Sequence, residues 1–200
     1  MITAHGSDVA GYNPDRFNFM HILMRPLWRM IVRYSYGITA PSNFLKKLIR
    51  KAINVPVEII PNGFDIRPAE KVQRENRILV VSRMFERKGV QFFIEALQDI
   101  STEDWDVWVV GDGPYLPVLK ELANKLGVPV KFLGQVPNDK IFEIYQKSKI
   151  YVFPSMVENF PVVLLEAMAA GCAVITTTAP GCAEVVGDAA IKVEAGRVEP

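Results

Sequence analysis

Over 200 residues the chain carries 23 Lys and Arg against 22 Asp and Glu, a formal net charge of +1, and half of its residues are hydrophobic. That suffices for one large core or parts of two domains, and the near-neutral balance, with no Lys/Arg block, gives no reason to expect a nucleic-acid partner. Two cysteines, Cys172 and Cys182, are too few for a disulfide framework and read as small buried hydrophobes in a reducing cytosol.

The opening residues lack a basic segment followed by an apolar core, so no secretory leader is expected, and no apolar run is long enough to span a bilayer. Met1–Ala4 reads as a strand end and His5-Gly6-Ser7-Asp8 as a tight turn. From Phe17 to about Tyr36, Ile22, Leu23, Leu27, Met30, Ile31 and Tyr34 recur at helical spacing opposite a basic stripe, Arg25, Arg29 and Arg33. Two readings stand for this helix: packing on a core with a solvated basic face, or contact with an anionic membrane surface. Pro26 marks a kink or a start within it. Gly37–Ala40 is a short buried strand, and Pro41-Ser42-Asn43 opens a capped helix to about Lys51. Val57–Ile60 is the next strand, closed by the turn Pro61-Asn62-Gly63.

Residues 1–67 are read as the back end of one domain, the polar residues 68–76 as a linker, and 77–200 as a second domain. In the latter, strands near Arg77–Ser82, Asp106–Val110, Val130–Leu133, Ile150–Phe153 and Ala173–Thr177 alternate with helices near Val90–Ile100, Tyr115–Leu126, Asp139–Lys147 and Pro161–Ala170. The alternation predicts an α/β fold, a Rossmann-like parallel sheet with helices on both faces. Ligands of such sheets sit at the carboxyl ends of the strands, so the loops there matter. Those loops carry Arg83 and Lys88-Gly89, Gly111-Asp112-Gly113-Pro114, Gly134-Gln135-Val136-Pro137, Pro154-Ser155 leading to Glu158, and Thr176-Thr177-Thr178 running to Gly181 and Glu184. Together they form a rim with cations, helix N-termini and two carboxylates, suited to an anionic, polyhydroxylated ligand.

The stretch from Glu158 to Gly171 is the most informative. Asn159 or Phe160 fits a helix cap, Pro161 the first helical position and Gly171 a left-handed residue past the end. From Val162 to Ala170 every residue except Glu166 is apolar, so the helix should lack a solvent face. Glu166 then requires a partner, either a buried base or a ligand offering hydroxyl donors. Between Glu158 and Glu166 lies the positive helix end, a site for an anion. Pro161 and Glu166 are about 7.5 Å apart along the axis, the span from a phosphate to the hydroxyls of its ribose.

Taken together, Ala4-His5-Gly6, Ile38-Thr39-Ala40-Pro41-Ser42, Pro61-Asn62-Gly63, Val81-Ser82-Arg83 with Lys88-Gly89, Gly111-Asp112-Gly113-Pro114, Phe132-Leu133-Gly134 and the Glu158–Glu166 pair followed by Ala-Met-Ala-Ala-Gly resemble the retaining nucleotide-sugar glycosyltransferases of family four, of GT-B architecture. The resemblance implies a hexosyl transfer with retention of anomeric configuration and no metal or other cofactor. By position, Arg83 and Lys88 would hold the donor diphosphate, Glu166 the ribose, Glu158 the donor sugar, and Gly134 to Val136 the base. Backbone N–H groups of Asn159, Phe160 and Val162 would add to the phosphate site, Gly111 would admit a close backbone approach, and His5 would face the sugar. Asn159-Phe160-Pro161 stands where many members have Gly-Phe-Gly, a change expected to tune donor binding.

The resemblance begins late in the family's acceptor-binding domain and stops before its closing helices, so the fold is expected to be incomplete and prone to self-association. The alternatives are a non-catalytic nucleotide-sugar binding module, half of a split enzyme, or a nucleotide-sugar epimerase of the same architecture. The acceptor would be a glycan or a lipid-linked sugar. The expected location is cytoplasmic, peripheral to a membrane if the basic helix binds one. A dinucleotide oxidoreductase is disfavoured, since Gly111-Asp112-Gly113 lacks the third glycine, and Asp104-Trp105-Asp106 precedes a strand and reads as a turn.

Overall fold

The computed structural model describes residues 1–6, 9, 12, 14–65 and 72–198, and the chain forms two compact units, Met1–Gly63 and Phe64–Pro200. In the first, β1 (Ile2–Thr3), β2 (Ile38–Ala40) and β3 (Val57–Ile59) are parallel and lie in that order. Helices α1 (Pro14–Tyr34) and α2 (Asn43–Ala52) make the two connections. Ser42 caps α2 as its residue type predicts, accepting the Leu45 N–H at 3.2 Å. The turn expected from His5 to Asp8 runs into residues 7 and 8, outside the described residues.

Helix α1 departs from the core-packed expectation. It starts at Pro14 and continues through Pro26. Ile22, Leu23 and Tyr34 are 65%, 68% and 88% exposed, and Leu27, Met30 and Ile31 are exposed as well. Among the described side chains of α1, Val32 and the half-buried Trp28 join the core of Ala4, Ile38, Ala40, Leu45, Ile49 and Val57. Strands of two and three residues offer a face only about 10 Å long to a helix about 30 Å long. Nor is the basic stripe simply solvated, because the Arg29 guanidinium donates two hydrogen bonds to the Ala52 carbonyl, at 3.0 and 2.8 Å, closing the end of α2.

The second unit holds β4 (Glu75–Val81), β5 (Asp106–Val110), β6 (Val130–Gly134), β7 (Ser148–Phe153), β8 (Ala173–Thr177) and β9 (Ile191–Val193). All pairings are parallel and the order is β6-β5-β4-β7-β8-β9. The predicted linker over 68–76 therefore ends sooner, since Glu75 and Asn76 already belong to β4, while residues 68–71 lie outside the described residues. Strand β9 has too few residues to carry a pattern and was not expected.

Side-chain alternation sorts the layers. Val80, Val107 and Val109 point to one face and pack on Phe93 and Ile94 of α3 (Val90–Ala96) and Leu119 of α4 (Leu116–Leu126). Leu79, Tyr151 and Phe153 point to the other, against α5 (Asn138–Lys147), α6 (Val162–Ala169) and α7 (Pro180–Val186). Beside α3, the strands β7, β8 and β9 line an apolar trough of about 430 Å³ with Ile150, Val152, Ile175 and Val193. The order places the first strand of the unit centrally and reverses direction between β4 and β7. Ligands of doubly wound sheets bind at this switch point, outside the carboxyl ends of the strands.

Candidate functional site

Two loops meet at the switch point, one after β4 and one after β7. The first turns through a 3-10 segment, Glu86–Lys88, into Gly89 and α3. Gly89 adopts φ +69, and a Cβ there would overlap the Pro154 carbonyl of the second loop. Beside it the Met156 N–H donates to the Arg87 carbonyl at 2.9 Å. The two backbones are thus locked together, and this lock presents Lys88 to Glu158.

Lys88 Nζ and Glu158 Oε1 form an ion pair with side chains only 11% and 12% exposed. Ser155 Oγ lies 2.9 Å from the same Oε1, and the Phe153 ring lies 5.5 Å from the ammonium. The sequence assigned Lys88 and Glu158 to different parts of a ligand and did not foresee this pairing. Ser155 was visible only as a loop residue; a small hydroxyl three residues before Glu158 was the available signal.

Helix α6 follows. Its cap is Pro161, with φ −74 and ψ 102, and its first residue is Val162, one position later than the sequence suggested. Proline's missing N–H costs nothing at either position. The far end is as expected: Gly171 has φ +78, its N–H donates to Met168 and that of Cys172 to Ala167, a Schellman closure. No residue from Val162 to Ala170 is exposed. The Leu164 N–H turns back to the Pro161 carbonyl at 3.1 Å, which leaves the N–H groups of Val162 and Val163 without a partner inside the helix.

Glu166 is half-buried, and among the described residues it forms no ion pair. The structural alternative for this glutamate, a buried base, is therefore absent from the described residues. Burial raises its carboxyl above the ordinary range, and the Tyr145 hydroxyl offsets part of that. Tyr145 is fully buried, edge-on to Tyr151 at 5.3 Å, and sequence reasoning missed it as a neighbour of Glu166. Burial likewise drives both tyrosine hydroxyls well up; that of Tyr151 donates to the Val81 carbonyl at 3.1 Å, while the Tyr145 hydroxyl meets no hydrogen-bond partner among the described residues.

The other predicted residues are placed as follows. Arg83 is exposed at the start of the first loop, its guanidinium 5.6 Å from the Phe85 ring, and it makes no ion pair among the described residues. Arg87 approaches the same ring at 5.6 Å. Gly111 is packed by protein, since a Cβ there would overlap the Ser82 carbonyl, so its lack of a side chain serves loop packing. Its N–H donates to Gly134 at 2.7 Å, tying the ends of β5 and β6. Val136 is half-buried against the α5–α6 core. Asn159 is buried, while Phe160 and Val162 are half-buried. His5 is exposed and belongs to the first unit.

The sequence profile of the glycosyl transferases of group 1 matches residues 63–198, and that of glycosyltransferase family 4 matches residues 1–68. An uncharacterized glycosyltransferase of Methanocaldococcus jannaschii is 32% identical over 174 residues, covering 76% of this chain and 45% of that one. The phosphatidyl-myo-inositol mannosyltransferase of Mycolicibacterium smegmatis is 30% identical over 189 residues, 89% of this chain and 47% of that one. The crystal structure of Anabaena HepE in complex with UDP superposes with a TM-score of 0.80 at 22% identity, covering 92% of this chain and 56% of the other. The chain thus spans about half the length of these proteins, and its fold is that of a GT-B glycosyltransferase.

Proposed function

As the chain belongs to the glycosyl transferases of group 1, we propose that it contributes the donor site for moving a hexosyl group from a nucleoside-diphosphate sugar to an acceptor, with retention of configuration. The observation that carries this reading is Glu166: a half-buried carboxylate with no cation among the described residues, on the helix that starts at the switch point. Such a group suits the hydroxyl donors of a ribose. Lys88, with Arg83 on the same loop, would meet the diphosphate and stabilise the charge that gathers on the departing phosphate. Glu158 would hold the sugar, Gly134 to Val136 would face the base, and the N–H groups of Phe160 and Val162 would add to the anion site. Gly111 would shape the loop rather than touch the ligand. His5, in the first unit, is kept as a candidate on its sequence motif Ala4-His5-Gly6 alone. The metal-free reading rests on these cations standing where a metal would otherwise neutralise the phosphates.

Calorimetric titration of the chain with UDP, GDP and ADP in the presence of EDTA tests the reading. One of the three is expected to bind, UDP first, since HepE is solved with UDP. A folded chain that binds none would overturn it. Because the relatives are about twice as long, a donor-binding module or half of a split enzyme is the second reading, and donor hydrolysis or sugar transfer by the purified chain would exclude it.

A lipid-linked acceptor at a membrane surface is the partner favoured by the first unit. It holds eight Lys and Arg against three Asp and Glu over residues 1–63, and α1 sets Arg25 and Arg33 among exposed apolar side chains. Among the described residues no helix is long and apolar enough to cross a membrane; the contact proposed here is a peripheral one through α1. Sedimentation with phosphatidylglycerol vesicles, lost in high salt, is the expected result.

A further inference from the structure

Ser155 is fully buried, and its hydroxyl faces three acceptors: Glu158 Oε1 at 2.9 Å and the Arg87 and Val157 carbonyls, each at 3.4 Å. A serine hydroxyl has one proton to give, and the shortest of the three contacts, to the charged acceptor, takes it. The backbone at this residue is itself fixed. The Thr177 hydroxyl donates to the Ser155 carbonyl at 2.6 Å from β8, and the next N–H, of Met156, is bound to Arg87. The serine is therefore held from two neighbouring segments with its proton on the carboxylate.

The same carboxylate oxygen accepts the Lys88 ammonium. In the function proposed above, on which this inference rests, one ammonium would serve both Glu158 and the donor diphosphate. When Lys88 turns toward the phosphates, Glu158 loses its cation in a nearly dry pocket, where an unsupported carboxylate is strongly disfavoured. One donor does not leave with Lys88, and that donor is Ser155. We propose that Ser155 is a positioning residue: it keeps the Glu158 carboxylate seated and turned toward the donor sugar while Lys88 is engaged with the diphosphate. Thr177, by fixing the Ser155 backbone from β8, would extend the support.

The test is a double-mutant cycle on the whole chain. The affinity for a UDP-sugar relative to UDP is measured by calorimetry, using UDP-glucose and UDP-N-acetylglucosamine, for the wild type, Ser155→Ala, Glu158→Gln and the double variant. Glu158→Gln is expected to lower the ratio for the preferred sugar about tenfold, the size of a hydrogen bond to a charged group. Ser155→Ala should lower it by about fivefold to tenfold and add nothing in the Glu158→Gln background, because the two residues act through one carboxylate. Ser155→Thr, which keeps the hydroxyl, should hold the ratio near that of the wild type.

If Ser155→Ala leaves the ratio unchanged, or if its effect multiplies with that of Glu158→Gln, Ser155 is a packing residue only and the inference is overturned. If Glu158→Gln leaves the ratio unchanged, the reading of Glu158 as the sugar ligand fails first and takes the inference with it. Should Ser155→Ala fail to fold, Ser155→Cys keeps the volume with a weak donor, and the same comparison decides.

Discussion

The two carboxylates that bracket the start of α6 are eight residues apart and live in opposite conditions. Glu158 is almost buried, yet the protein supplies it with an ammonium and a hydroxyl before any ligand arrives. Glu166 is half-buried and faces a buried tyrosine and no cation among the described residues, so burial pushes its carboxyl up. A charge that the fold itself compensates stabilises the unliganded protein or at least does not burden it. A charge left uncompensated in a half-buried place is held there against stability, which points to a ligand as its compensation. The difference teaches that burial alone does not tell a site residue from a structural one; what matters is whether the protein finishes the job.

The largest expected effect comes from breaking the completed side. Lys88→Met leaves Glu158 nearly buried without its cation, and removing one partner of such a pair costs about 3–5 kcal/mol. Urea unfolding should show a loss of that order. Lys88→Met with Glu158→Leu replaces the pair by apolar volume and should recover most of the loss. Both variants should lose nucleoside-diphosphate affinity while only the single one is unstable. If the single variant is as stable as the wild type, the pair is solvent-screened and the contrast between the two carboxylates collapses.

On the other side the sign reverses. Glu166→Gln should stabilise the unliganded chain modestly, by less than the Lys88 effect, while reducing discrimination between UDP and its 2′-deoxy analogue by about tenfold. The pH dependence follows from the direction of the shift. The folded-state pKa of Glu166 lies above the unfolded one, so its cost is fully present above the folded value and vanishes below the unfolded value. The advantage of Glu166→Gln over the wild type should therefore fade as pH is lowered through and below the ordinary glutamate range. UDP affinity of the wild type should fall over the same interval as the carboxylate becomes protonated. A pH-independent difference between the two proteins would remove burial as the cause.

The same contrast explains what was legible in the sequence. The strand and helix alternation, the Ser42 cap and the Gly171 closure could be read because each rests on local residue chemistry: period, a side-chain acceptor, a positive φ. That no residue of α6 is fully exposed followed from its composition, although only Leu164 and Ala167 of the helix are buried. The Lys88–Glu158 pair could not be read, since it joins residues 70 apart through a register that only the β4–β7 pairing sets. Tyr145 was hidden for the same reason: it lies on α5, and nothing local places it beside Glu166. Spacing suggested that α1 would pack, but spacing cannot say how much sheet is there to pack on.

The cysteines give a finer way to separate the two regions, with the smallest signal. Cys182 lies among Thr176, Thr177 and the Glu158–Lys88 pair, whereas Cys172 closes α6 with its thiol 3.1 Å from the Tyr145 carbonyl. Burial pushes each thiol up to about 11, so reaction with a thiolate-selective reagent at neutral pH requires local opening. In the wild type both should react slowly. In Lys88→Met, the strained carboxylate should loosen the loops after β7 and β8, and Cys182 should react faster by a larger factor than Cys172. Glu166→Gln should accelerate neither. Equal acceleration of the two thiols in Lys88→Met would mean that the loops and α6 open as one cooperative unit, and the two carboxylates would then report on a single environment.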